Sequence, residues 1–214
     1  MNVILNCKFS IINSSMPKRY TPNDNWSQKA AQEGYRARSV YKLQEIDKRF
    51  HLICSGMSVL DLGAAPGSWC QYAVERVGPK GAVIGVDLKE IEPIEGAHCY
   101  QADMTDTTAI EQILKQHDCT QVDCILSDAA PNTSGIADVD QWKSIELAQA
   151  VIAIAKRYLT PRGTCVVKIL RGADFQDFLV AQKQDWKKIS CVQARASRDR
   201  SNEIFVVLSE AVKQ

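Results

Sequence analysis

The 214-residue chain reads as a single α/β domain: an open, mostly parallel sheet of seven strands with helices on both faces, the Rossmann-like plan. Three observations predict it. Short apolar runs alternate along most of the chain with stretches of helical periodicity. One of these runs, Ser58-Val59-Leu60-Asp61-Leu62, leads through the small-residue turn Gly63-Ala64-Ala65-Pro66-Gly67 into a helical stretch, the kind of unit that brings a ligand up to backbone. The polar residues Asp61, Asp87, Asp103, Asp128 and Lys168 fall at strand ends, where open α/β sheets place their sites.

In chain order, residues 1–25 read as a leader expected to be poorly ordered, with the folded domain over 26–214. The leader lacks the charged start and A-x-A-like site of a signal peptide, and Met16 is as good a start as Met1. Residues 17–34 are polar, with Pro17 and Pro22 as breakers, and predict a loop. Over 34–50, Val40, Leu43, Ile46 and Phe50 share one helical face. Residues 58–62, 82–87, 98–102 and 122–127 read as strands, with helices over 69–77 and 108–116. The clearest helix is 140–159, where Trp142, Ile145, Ala148, Ile152, Ala155 and Leu159 trace one stripe before Pro161 and Gly163 stop it. A strand over 163–170 and a helix over 175–182 follow, and 189–195 and 203–208 close the sheet as a final pair.

Composition excludes several classes. A hydrophobic content of 45% and a charged content of 24% are ordinary for a water-soluble fold, and no run approaches the ~18 apolar residues of a membrane span. The eight cysteines, Cys7, Cys54, Cys70, Cys99, Cys119, Cys124, Cys165 and Cys191, form no C-x-x-C pair and read as reduced cytoplasmic thiols. With three scattered histidines, no metal centre is expected. The net charge of +1 hides a separation. Residues 16–50 carry eight basic against four acidic side chains, 183–203 six against three, and 86–146 three against thirteen. Such polarity suits a basic face for a polyanion, although ordinary solvated charge produces the same pattern.

The turn is not G-x-G-x-x-G, so a tightly held pyrophosphate is disfavoured. A ligand with an adenosine ribose and no phosphates, such as S-adenosylmethionine, fits better than a bare βα turn. Asp87 ends the second strand about twenty-five residues after Asp61, where such folds hold a ribose diol. Asp103 suits an adenine amino group, or else a helix cap. Lys168 ends an apolar strand, where an ammonium needs a partner; Asp128, at the end of another strand, is the obvious one. Glu203 and Lys42 complete a set that reads either as a structural ion network or as a site for proton transfer. Arg36, Arg38 and Tyr41 interleave basic and aromatic groups as an RNA-binding surface does, and a docking helix with a solvated face is the alternative.

Tyr35-Arg36-Ala37-Arg38-Ser39-Val40-Tyr41-Lys42-Leu43, the Asp61–Trp69 stretch, Ser127-Asp128-Ala129-Ala130-Pro131-Asn132, Val166-Val167-Lys168 and Ser201-Asn202-Glu203 stand in one order. In this the sequence, from about Trp26 to Leu208, resembles the FtsJ/RrmJ ribose 2′-O-methyltransferases. The resemblance implies an S-adenosylmethionine-dependent enzyme acting on a 2′-hydroxyl of RNA. Its Lys-Asp-Lys-Glu tetrad falls on Lys42, Asp128, Lys168 and Glu203, and its cofactor contacts on Gly63, Pro66, Gly67, Trp69, Asp87, Asp103 and Asp128. Ser68, Cys70, Arg171 and Asn202 depart from the family's usual residues, and the last two bear on how RNA is gripped. Lys168 is the candidate base, which burial and the like charge of Lys42 would help to deprotonate. The short C-terminus looks most like the branch acting on large-subunit ribosomal RNA (RlmE type), which methylates a uridine. A transfer-RNA anticodon-loop enzyme is the runner-up and a non-catalytic RNA-binding module a distant third. The expected partner is thus RNA, on the large ribosomal subunit, with a monomer in the cytoplasm, no membrane and no metal.

Overall fold

The computed structural model describes residues 25–132, 134–197 and 201–212. Most of the expected leader and residues 198–200 of the basic loop lie outside the described residues. Helices α1 (Asn25–Gln32) and α2 (Val40–Phe50) precede β1 (Ser58–Leu62), α3 (Ser68–Val77), β2 (Ala82–Asp87) and β3 (His98–Gln101). Then come α4 (Thr107–Gln116), β4 (Val122–Ser127), α5 (Ala137–Tyr158), β5 (Leu159–Leu170), α6 (Phe175–Gln182), β6 (Trp186–Val192) and β7 (Glu203–Ala211). The sheet order is β3-β2-β1-β4-β5-β7-β6. The first five strands run parallel, and β7 lies antiparallel between β5 and β6. The order reverses between β1 and β4, and a crevice opens beyond the strand ends at such a point.

Alternation along the strands builds two cores. Leu60, Leu62, Ile84, Val86, Val167, Ile169, Ile204 and Val206 meet α4, α5 and α6 on one face. Val59, Val83, Val166, Phe205 and Val207 meet α2 and α3 on the other. Both faces are covered, so the strands are near-continuous apolar runs and any polar residue within them stands out.

Several boundaries differ from the sequence reading. Asn25–Gln32 is a helix where a loop is expected: Ala30 is buried beside Val40 and Tyr41, and Trp26 meets the Tyr41 ring at 5.1 Å. The next helix starts at Val40 because Gly34, at φ +81, turns the chain between the two. β5 begins at Leu159, which is therefore no helix residue, and β6 lies three residues earlier than expected. Trp142 leaves the buried stripe of α5 and is 55% exposed, while Gln141 and Ser144 turn inward against the end of β5. Tertiary contact set these boundaries against local periodicity.

The α2–α3 contact rests on one buried acid. Asp47 accepts hydrogen bonds from the Ile53 amide, the Tyr72 hydroxyl and Arg76 Nε, at 2.9, 2.7 and 3.0 Å. Removing the carboxylate strands these donors in a desolvated site. Asp47→Ala is therefore expected to cost about 3 kcal/mol in urea unfolding, with Tyr72→Phe costing less because it deletes only one donor.

Candidate active site

Four charged side chains converge beyond the ends of β4, β5 and β7. Ser127 on β4 pairs in register with Val167 on β5, so Asp128 follows its strand beside Lys168. Leu170 pairs with Glu203 and Lys168 with Phe205, which puts Lys168 and Glu203 on the face covered by α2. Lys42, in the first turn of α2, comes down onto them. The four alternate in sign. Lys168 Nζ lies 2.9 Å from Asp128 Oδ1 and 3.7 Å from Glu203 Oε1, and also donates to the Asp128 carbonyl at 2.6 Å. Lys42 Nζ lies 3.1 Å from Glu203 Oε2 and 3.5 Å from Asp128 Oδ1, above the Phe205 ring. Both lysines are 8% exposed. Burial raises the Glu203 carboxyl, but Lys42 and Lys168 outweigh it and hold the group below its ordinary value.

A cleft of about 770 Å³ adjoins this square. It is lined by Gly63, Ala65, Asp87, Asp103 and Asp128, together with Lys143 and Glu146 of α5. Gly63 is needed at φ +81, and a Cβ there would stand 2.6 Å from that of Ala129. The two strand-end turns thus touch, leaving the space beside them to a ligand. Asp87 receives the Ala65 and Lys89 amides, which ties the β1 turn to the end of β2. The Asp103 carboxyl is held below its usual range by the amide and hydroxyl of Thr105, and is an ionised acceptor facing the cleft.

The remaining expected site residues lie around this centre. Trp69 is buried behind the turn, against Phe205, with its indole nitrogen on the Ser39 carbonyl. Gly67 and Pro66 sit over Arg36, whose guanidinium donates to the carbonyls of Pro66, Glu92 and Pro93. Arg38 reaches the Ala196 carbonyl, and the Tyr41 hydroxyl donates to Glu33. The sequence reading missed the strut made by Arg36 and the α5 wall of the cleft. The first is a contact between distant segments, and the second requires the helix to be placed over β4. Among the described residues no three His, Cys, Asp or Glu side chains gather as a metal site, and no helix is long and apolar enough to cross a membrane.

A family model described as FtsJ-like methyltransferase matches residues 35–211. A protein of Methanothrix thermoacetophila named ribosomal RNA large subunit methyltransferase E is 47% identical over 86% of this chain and 71% of its own. A protein of the same name from Syntrophobacter fumaroxidans is 44% identical over 88% and 95%. Among solved structures, a protein of Plasmodium falciparum described as a ribosomal RNA methyltransferase superposes with a TM-score of 0.75 at 27% identity, covering 84% of this chain and 100% of that one.

Beneath the cleft Asp61 is fully enclosed, with Cys70 Sγ 3.3 Å from its Oδ2. Burial, helped by the charges of Asp128 and Asp87, pushes its carboxyl from an ordinary 3.8 up to about 7, although the Cys70 contact opposes the rise. Between those values the native state holds a proton that the unfolded chain releases. Stability from this group is therefore greatest below about pH 4 and falls as pH rises through 7. Urea midpoints measured from pH 5 to 8 are expected to decline in the wild type. Asp61→Asn is expected to remove most of that slope, worth about 4 kcal/mol over the whole range.

Proposed function

Because the chain belongs to the FtsJ-like methyltransferase family, we propose that it transfers a methyl group from S-adenosylmethionine to a ribose 2′-hydroxyl of RNA, at a uridine of large-subunit (23S) ribosomal RNA. One observation carries this reading: Asp128 belongs both to the cleft and to the buried lysine–carboxylate square, so ligand and proton acceptor meet at one residue. The large-subunit substrate is favoured over an anticodon loop by the relatives' names, the Syntrophobacter fumaroxidans protein being matched over 95% of its length. Free thiols among the described residues suit the cytoplasm.

The cleft fits the cofactor. Its volume suits a nucleoside-sized ligand, Asp87 stands where a ribose diol is accepted, and the ionised Asp103 can receive an adenine amino group. Gly63 and Ala65 offer backbone at close approach. S-adenosylmethionine, when bound, supplies an electrophilic methyl on a sulfonium. Asp128 sets a negative charge at that end of the cleft and holds Lys168 by both its side chain and its carbonyl. Lys168 Nζ is the group placed to take the hydroxyl proton as the ribose oxygen attacks. Glu203 fixes Lys42, whose ammonium can donate to the ribose. Near-complete burial of both lysines removes their rotational freedom, and alignment of this kind supplies much of a methyl transfer. Of the expected RNA contacts, Arg38 holds the Ala196 carbonyl and so ties the segment before α2 to the chain beyond β6. Arg36 and Tyr41, whose polar ends are used within the protein, act through the shape of the same segment.

Labelled S-adenosylmethionine is expected to mark the RNA of large ribosomal particles with an alkali-resistant linkage and to leave bulk transfer RNA unmarked; label on transfer RNA alone would keep the chemistry and overturn the substrate. Lys168→Ala is expected to lower kcat roughly a thousandfold while cofactor affinity holds. Lys168→Arg keeps the charge but cannot be deprotonated, so it should be as slow. Activity surviving in the arginine variant would reduce Lys168 to a positioning cation.

A further inference from the structure

Cys70 and Cys99 take no part in the proposed reaction, yet the fold brings their sulfurs together beneath the cofactor turn. Gly85 on β2 pairs in register with Cys99 on β3, and residues so paired point to the same side of a sheet. That side faces α3: a Cβ on Gly85 would stand 2.7 Å from Cys70 Sγ. Cys70 therefore fills the space that Gly85 leaves, with Cys99 next to it in the same apolar cluster. Cys70 is fully buried and Cys99 is partly open to solvent. No such arrangement joins Cys124 and Cys165, which sit on neighbouring strands but in opposite cores.

We propose that Cys70 and Cys99 form a reversible disulfide, entered through Cys99 with Asp61 as the proton acceptor for Cys70, and that its formation disables the Gly63–Gly67 turn. The second half rests on the cofactor reading of that turn. The oxidant is a low-molecular-weight disulfide. The Cys99 thiolate attacks one of its sulfurs and releases one small thiolate. Cys70 passes its proton to Asp61, 3.3 Å away, and its sulfur attacks the Cys99 sulfur, expelling the second small thiolate. Two protein thiols are oxidised and one small disulfide is reduced to two thiols.

The surroundings divide these roles. The neighbouring Cys70 thiol lowers the Cys99 thiol most, burial opposes, and the Arg36 guanidinium adds to the lowering, leaving it at about 7. The same contact, burial and Asp61 keep Cys70 protonated until a base takes its proton. The mechanical link is short. Cys70 stands three residues after Gly67 in the first turn of α3, and Arg36, beside Cys99, holds the Pro66 carbonyl. Closing the two sulfurs to a bond of ~2.05 Å pulls that helix start towards β3.

The full chain is incubated with oxidised glutathione, its remaining thiols are blocked, and its peptides are mapped without reduction. The expected product joins the Cys70 and Cys99 peptides with loss of two hydrogens and is reversed by dithiothreitol. Cys70→Ser is expected to stop at a glutathione adduct on Cys99, and Cys99→Ser to give no crosslink. S-adenosylhomocysteine affinity is expected to fall at least tenfold in the crosslinked protein and to recover on reduction. Adducts confined to the exposed Cys54, or a Cys99 adduct that never resolves in the unsubstituted chain, would overturn the pair. A crosslink that leaves affinity unchanged would overturn the switch. A reduced protein that binds no S-adenosylhomocysteine would overturn the cofactor reading, and the switch with it, while the crosslink would still establish the pair.

Discussion

The arrangement on which the site depends is the alternating square of Lys42, Glu203, Lys168 and Asp128. Two ammonium and two carboxylate groups are drawn out of water there, at a desolvation cost that mutual attraction at best roughly cancels. Apolar residues of similar size would serve stability as well or better. Retaining four charges at one end of the sheet is thus a poor way to stabilise a fold, and it holds two lysines and two carboxylates in fixed positions beside the cleft. The square also carries its own constraint: removing one member leaves an odd buried charge, so its parts act as a unit.

Sheet geometry makes this placement possible. Parallel register sets the residue after β4 beside the end of β5, and antiparallel β7 returns Glu203 to that end from the opposite chain direction. A further parallel strand would have entered from the far edge, and Glu203 at its start would have been a strand length away. The apolar face beneath, with Phe205 and Trp69, excludes water from the lysines on the side away from the cleft.

Asp61, Asp87 and Asp128 crowd their carboxyl groups at the ends of three adjacent strands, and the protein resolves the repulsion unequally. Asp87 is steadied by two backbone amides, and Asp128 by two lysines. Asp61, enclosed and without a cation, is the one that gives way towards the neutral form. A group poised near neutrality beneath the ligand turn, with a buried thiol against it, links proton and sulfur chemistry at that spot.

The fold class was legible because both covered faces leave a plain trace: apolar strands, turns of small residues and helical stripes recurring in order. The site was legible too, since Asp128, Lys168 and Glu203 are polar residues at the ends of apolar strands and their cost demands partners. Less was legible where local signals compete with distant ones. Asn25–Gln32 has a weak helical pattern that docking on Tyr41 decides, and Trp142 fits the stripe of α5 by spacing but is exposed while Gln141 and Ser144 take the buried side. Arg36 looks like a nucleic-acid contact by type, and its guanidinium is committed to carbonyls 30, 56 and 57 residues away. The sequence by itself determined which residues must seek partners, because burial cost is a property of residue type and pattern. Only the tertiary structure decided which partners they found: the pairing of Lys42 with Glu203, of Cys70 with Asp61, and of Arg36 with the Pro66 carbonyl. Those pairings depend on strand register and helix docking, which no local pattern encodes.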